Sequence, residues 1–140
     1  MQRTVLCFAG LLFAGSVIAV ADDLDDSYAK LKSAVTAKEA AQVKELVPKV
    51  LALARELAAK PAPEGETEKA NWEKSVKYAK DVELYTEYAL YSVAVQSPAA
   101  TMIDLWETLE KQNPKSKYFA AGYGPYLVAL SQVGQAGRIR

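Results

Sequence analysis

The side chains best suited to bind a partner in this 140-residue chain are its tyrosines, of which there are eight. Each offers a large apolar ring and one hydroxyl, which suits recognition surfaces because little conformational entropy is lost on binding. Five of them fall on two predicted helices and could line one groove: Tyr85, Tyr88, Tyr91, Tyr118 and Tyr126. The alternative interpretation is that these rings fill the space between helices and bring only their hydroxyls to the surface.

The chain offers few groups for catalysis or metal binding. It contains no histidine and one cysteine, Cys7, so Ser-His and Cys-His arrangements are excluded. Carboxylates cluster at residues 22–26 and at Glu107 with Glu110, and we interpret them as a helix start and a solvated helix face. A carboxylate pair for glycoside hydrolysis stays open on spacing alone. We therefore expect a protein that is not an enzyme, with no catalytic residues, no metal site and no cofactor.

The charge balance limits the classes of partner to expect, and the N-terminal segment indicates the cellular compartment. Lysines and arginines total 17, as do aspartates and glutamates, so we expect no nucleic-acid partner. Arg3, an apolar run over residues 5–20 and the small residues Ala19 and Ala21 are typical of a secretory signal peptide. We predict cleavage after Ala21, export to the periplasm or the medium, and no stable membrane span afterwards. A retained anchor is the alternative, which the short apolar run disfavours.

Residues 72–95 form the stretch around which the other elements are expected to pack. At about 100° per residue, an apolar stripe from Trp72 to Val93 falls on one side of a helix. A second stripe, from Tyr78 to Val95, falls on roughly the opposite side. Because a helix with two apolar faces needs a neighbour on each, this stretch is predicted to be the central helix.

Shorter helices are predicted on both sides of this stretch. A capping-box pattern from Thr36 to Glu39 is expected to start the second helix, in which Pro48 should cause a kink or a break. Loop signals that contain proline separate the later helices at residues 60–66, 97–98 and 113–114. The predicted domains are a signal peptide at 1–21, one all-α domain at 22–134, and a flexible tail at 135–140. The all-α domain is expected to be an antiparallel helix-turn-helix stack of about five helices.

The stretch from Leu84 to Leu130 resembles the tetratricopeptide repeat, a helix-turn-helix unit of about 34 residues. Pro114 matches the closing proline of the repeat, and Gly124 falls at the glycine position of a following copy. The packing positions of the second helix are then filled by Met102, Trp106 and Leu109. The resemblance implies a tetratricopeptide-like stack and a protein-interaction role, since such repeats bind extended segments of partners on a concave face. In this register the residues that would face the groove are Leu84, Glu87, Tyr91, Tyr118 and Ala121, while Tyr88 could belong to either surface.

We therefore expect an exported, non-catalytic interaction module that docks a protein or peptide segment on an aromatic-lined groove of the third and fifth helices. The candidate contact residues are Leu84, Glu87, Tyr88, Tyr91, Tyr118 and Tyr126. The alternative is a periplasmic protein that binds a glycan or another small ligand by stacking tyrosine and tryptophan faces on sugar rings. The identity of the partner and the oligomeric state stay open on the sequence.

Overall fold

The computed structural model describes residues 14–138, with side chains from residue 20 onward. The helices are α1 (Ala14–Ala37), α2 (Ala40–Ala58), α3 (Glu66–Ala94), α4 (Ala99–Gln112) and α5 (Tyr118–Gln132), followed by a short 3-10 turn, Ala136–Arg138. No strand occurs within these described residues. The prediction of an all-α stack of about five helices is therefore confirmed.

The helices form two layers with α3 at the centre. Each helix packs against the next one in the chain, and α3 contacts all four others. The odd-numbered helices also contact one another, α1 with α3 and α3 with α5, while α2 contacts α4. One layer therefore contains α1, α3 and α5, and the other contains α2 and α4. The prediction that the long third helix is central is confirmed.

The core lies where the inner stripe of α3 meets the even-numbered helices. On α3 the stripe includes Val82, Leu90 and Val93, each 1 % exposed or less. The facing side chains on α2 and α4 are Val43, Val47, Val50, Leu105 and Leu109. Burying one Val or Leu side chain stabilises a fold by about 1.5–3 kcal/mol, so this seam fixes the two layers against each other.

The junction of α1 and α2 differs from the predicted capping box. Thr36 lies in the last turn of α1, where its hydroxyl donates to the carbonyl of Lys32, so it does not cap α2. Lys38 instead adopts the left-handed conformation, with φ of 57°. The amide of Lys38 bonds to the Val35 carbonyl and the amide of Glu39 to the Ala34 carbonyl. This is the Schellman arrangement that ends a helix, and it turns the chain directly into α2.

Pro48 does not break α2, which runs from Ala40 to Ala58. Proline lacks the amide that would bond to the carbonyl one turn earlier, and its ring crowds that carbonyl. Pro48 lies on the exposed side of α2, whereas Val47 and Val50 are buried beside it. The packing of the buried stripe therefore holds the helix together across the proline.

The N-terminal part of α1 overlaps the predicted signal peptide at residues 14–21. Most of residues 1–21 lie outside the described residues, and cleavage after Ala21 stays a prediction. In the full chain residues 22–26 lie inside α1, so the expected acidic helix start stays a prediction for the mature protein cut after Ala21. Among the described helices, none combines the length and the apolar character that crossing a membrane requires.

Candidate functional site

Six tyrosine rings form one continuous series of contacts, which we name the tyrosine row. Its members, in order of contact, are Tyr78, Tyr28, Tyr85, Tyr88, Tyr118 and Tyr91. Successive ring centroids lie 6.3, 5.1, 5.6, 6.1 and 5.1 Å apart. These separations fall within the range over which aromatic rings attract one another.

The layer of odd-numbered helices positions this row. Four of its tyrosines come from α3, on one side of the helix between residues 78 and 91, a stretch about 20 Å long at the rise of an α-helix. Helix α1 adds Tyr28 towards one end, and α5 adds Tyr118 towards the other. The row therefore spans all three helices of one layer, whereas the sequence predicted contributions from the third and fifth helices alone.

The rings of the row pack against one another in edge-to-face and stacked pairs. Tyr28 meets Tyr85 edge to face, with ring planes 81° apart. Tyr91 and Tyr118 are stacked, with planes 19° apart. Such pairs contribute about 0.5–1.5 kcal/mol each beyond the burial of their area. The row is consequently part of the packing between helices as well as a surface.

The middle of the row is open to solvent. Tyr88 is 42 % exposed, and Leu84, one helical turn before it on the same side of α3, is 43 % exposed. Tyr28, Tyr85, Tyr91 and Tyr118 are half-buried. The half-buried rings therefore fill space between helices, as one interpretation of the tyrosines expects, while Tyr88 and Leu84 present apolar surface to solvent.

Charged groups lie towards the two ends of the row. The ammonium of Lys32 is 4.5 Å from the ring centre of Tyr28, and that of Lys117 is 5.2 Å from the ring centre of Tyr118. At the Tyr78 end of the row, beyond Tyr28, the hydroxyl of Tyr78 donates to Asp25 Oδ1 at 2.5 Å. Partial burial and this bond to a carboxylate raise the pKa of Tyr78 above its ordinary value, since both disfavour the phenolate.

Of the predicted contact residues, Leu84, Tyr88, Tyr91 and Tyr118 come together, and Glu87 points elsewhere. Glu87 is buried, and its Oε1 accepts a hydrogen bond from Asn113 Nδ2 at 2.8 Å. The neighbouring Thr86 accepts a hydrogen bond from Gln112 Nε2 at 2.6 Å. Glu87 thus belongs to a polar connection between α3 and the end of α4, and its carboxylate does not face the tyrosine row.

Tyr126 lies in a second group of rings, which we name the C-terminal aromatic cluster and which comprises Trp106, Phe119, Tyr123 and Tyr126. Tyr126 stacks on Trp106 with centroids 5.0 Å apart and planes 11° apart. Phe119 meets Trp106 edge to face at 5.1 Å. Tyr126 is therefore separate from the tyrosine row, because its ring faces α4 while the row lies along α3.

Sequence reasoning missed Gly122, as it missed Tyr28 and Tyr78 of the row. A side-chain carbon at this position would collide with the ring of Trp106 and press on Tyr91. The absence of a side chain therefore lets the Trp106 ring contact the backbone of α5 close to Tyr91 of the tyrosine row. The repeat resemblance singled out Gly124 instead, but a side-chain carbon at that position would meet no other helix within 4 Å. A glycine inside an otherwise apolar helix was the available signal.

A cavity of about 370 Å³ lies beside the C-terminal aromatic cluster. Its lining combines that cluster with Glu110, Pro114, Leu127, Leu130 and Arg138. The Arg138 guanidinium bonds to Glu107 Oε1 at 2.6 Å and to Gln135 Oε1 at 2.7 Å. These bonds attach the 3-10 turn to α4 at the edge of the cavity.

The described residues contain no constellation suited to hold a metal, since no three acidic, histidine or cysteine side chains converge within 20–138. No family model, characterised protein or solved structure matches the chain. The candidate site therefore rests on the geometry of the chain's own residues.

Proposed function

We propose that this protein is an exported, non-catalytic interaction module that docks an extended segment of a partner protein on the tyrosine row. The observation that supports this most directly is the exposed pair Tyr88 and Leu84 in the middle of a continuous line of rings from three helices. Large apolar groups that stay exposed together on a folded protein often mark a site of interaction. Tyrosine is also among the residues enriched where binding energy concentrates.

The dimensions of the row favour an extended segment. Between residues 78 and 91 the row covers about 20 Å, which matches about six residues of polyproline-type chain at about 3.1 Å per residue. Proline-rich segments dock on aromatic surfaces because they are already extended and lose little entropy. The similarity to tetratricopeptide repeats, which bind extended segments, supports the same class of partner.

The lysines near the row favour acidic residues opposite Tyr28 and Tyr118, whereas the carboxylates of Asp25 and Asp81 disfavour an acidic residue beyond Tyr28 at the Tyr78 end. Lys32 and Lys117 are exposed and lie over the rings of Tyr28 and Tyr118. Carboxylates that flank an apolar centre would meet these ammonium groups, and opposite charges on the two partners assist docking and orientation. The proposed partner is therefore a protein segment with proline and apolar residues between acidic ones.

Fluorescence anisotropy with a synthetic peptide tests the proposal. The probe has a centre of alternating proline and leucine, about six residues long, with glutamates at both ends. The control peptide carries lysines in their place. The mature protein should bind the acidic probe and discriminate against the basic one, because only the former is complementary to Lys32 and Lys117.

Two matched variants then locate the binding surface. Tyr88→Ala removes an exposed ring of the row, whereas Tyr123→Ala removes a ring of similar exposure, 46 %, outside it. Loss of an aromatic anchor costs about 2 kcal/mol or more, so Tyr88→Ala should weaken probe binding roughly 30-fold or more. Tyr123→Ala should leave it unchanged. Equal binding by wild type and Tyr88→Ala would exclude the row as the docking surface.

A further inference from the structure

The proposed docking function does not involve the cavity beside the C-terminal aromatic cluster. We propose that it is a second binding site, specific for a neutral glycan. Its volume of about 370 Å³ falls towards the lower end of the roughly 300–1,000 Å³ typical of small-molecule sites. The site is independent of the tyrosine row, because its lining contains none of the row's tyrosines.

The apolar wall of the cavity suits one face of a sugar ring. Trp106 is buried and forms a rigid base with the stacked ring of Tyr126. Tyr123 is 46 % exposed and also contributes to the wall. The C–H groups on a pyranose face form an apolar patch, which gains by leaving water for an aromatic surface.

The polar wall suits the hydroxyl groups of the same ligand. Glu110 is exposed and offers carboxylate acceptors, while Arg138 offers N–H donors. The bonds of Arg138 to Glu107 and Gln135 hold its guanidinium at the cavity wall before any ligand arrives. Since a sugar hydroxyl both donates and accepts, it can bond to either kind of group.

The mixture of charges argues against ionic ligands. A small anion in the cavity would meet Glu110, with Glu107 close behind the wall. A small cation would meet Arg138, whose guanidinium already makes an ion pair with Glu107. A neutral ligand avoids both repulsions and keeps this ion pair intact. Aromatic faces, both hydrogen-bonding roles and this charge arrangement together point to a polyhydroxylated neutral ring.

Isothermal titration calorimetry with defined neutral oligosaccharides tests this site. The probes are tri-N-acetylchitotriose, cellotriose and maltotriose, titrated into the mature protein and its variants. At least one should give a saturable heat. Tyr123→Ala should weaken that binding about tenfold or more, because it removes the exposed ring of the wall. Glu110→Gln should weaken it by a smaller factor, because the amide keeps one acceptor oxygen.

The variant Tyr88→Ala separates this inference from the docking function, because Tyr88 lies in the tyrosine row and outside the cavity. It should bind the oligosaccharide as tightly as the wild type while losing the acidic peptide. No saturable heat from any of the three sugars would overturn the glycan site, and so would sugar binding that survives Tyr123→Ala. Sugar binding lost in Tyr88→Ala, with its fold intact by circular dichroism, would place the glycan on the row and overturn it as well.

Discussion

At the scale of single residues, Gly122 decides how closely α5 approaches Trp106. A methyl group there would collide with the Trp106 ring, whereas a methyl group at Gly124 meets no atom within 4 Å apart from its chain neighbours, one of which is Pro125, and the nearby backbone of α5. Overpacking a well-filled site lowers stability by about 1–3 kcal/mol, whereas replacing glycine by alanine inside a helix raises it by about 1 kcal/mol. The two glycines lie in one helix and differ in whether an added side chain meets the Trp106 ring.

We predict unequal effects of the two alanine substitutions on stability. Gly122→Ala should lower the free energy of unfolding by about 1–2 kcal/mol, since the collision outweighs the gain in helix propensity. Gly124→Ala should change it by less than Gly122→Ala does, because the gain in helix propensity is opposed by crowding of the new side chain against the ring of Pro125. Urea unfolding followed by circular dichroism measures both. A stabilising Gly122→Ala would show that Trp106 does not contact the backbone of α5.

The protonation of the row's tyrosines gives a second prediction at this scale. Partial burial raises the pKa of Tyr28, Tyr78 and Tyr85, and for Tyr78 the hydrogen bond to Asp25 adds to the effect. The folded protein therefore holds these protons more tightly than the unfolded chain does. Their contribution to stability is complete below the ordinary phenol pKa of about 10 and is lost as the pH rises above it.

We accordingly predict that the free energy of unfolding falls as the pH rises beyond about 10. Tyr78→Phe, which removes one of the responsible hydroxyls, should reduce the steepness of that fall. Urea unfolding at a series of alkaline pH values gives both slopes. Identical slopes for wild type and Tyr78→Phe would mean that neither burial nor the bond to Asp25 raises the pKa of Tyr78 in solution.

At the scale of elements, the turn between α1 and α2 depends on the backbone of one residue. Lys38 has φ of 57° in the Schellman arrangement, a conformation that costs a residue with a side chain about 1–2 kcal/mol. Glycine adopts it without that cost but loses more entropy on folding. Lys38→Gly should therefore stabilise the protein by up to about 1 kcal/mol.

The control for this prediction is Lys30→Gly, which replaces an exposed lysine inside α1. Glycine in a helix interior costs about 1 kcal/mol, so this variant should melt at a lower temperature while Lys38→Gly melts at a higher one. Thermal unfolding by circular dichroism compares them. If both variants lose stability equally, residue 38 is not left-handed in solution.

Part of the secondary structure could be predicted from the sequence, because the residues that start, stop and pattern a helix are close together in the chain. Two apolar stripes on residues 72–95 predicted the central helix, and Asn113 with Pro114 predicted the end of α4, which ends at Gln112. The end of α1 was missed because left-handed backbone at a lysine leaves no sequence pattern. Of the kink or break expected at Pro48, the break is wrong, because the effect of a proline depends on which side of the helix is buried.

The candidate site was less predictable because its contacts are long-range. Tyr28 joins the row through Tyr78 and Tyr85, which lie on a different helix. Glu87 is buried because Asn113, at the end of the next helix, donates to it. Both outcomes depend on how helices are placed against each other, which the helical period of a single segment does not determine.

At the scale of the whole molecule, the two-layer arrangement brings rings from three separate helices into one line. Tyr28 and Tyr118 are far apart in sequence, yet each contacts tyrosines of α3. The row exists only when α1 and α5 are both packed on α3, so it forms with the fold itself. A docked segment would contact all three helices of that layer and would stabilise the assembled stack by mass action.

The most direct test of this account is a map of backbone amide chemical-shift changes by nuclear magnetic resonance, as the acidic proline-containing peptide is added to isotope-labelled mature protein. The account predicts that the changes concentrate along the exposed side of α3 between residues 78 and 91 and at Tyr28 and Tyr118. Helices α2 and α4 should change little. Changes centred on α2 and α4, with the row unaffected, would contradict the proposal that this protein binds partners through its tyrosine row.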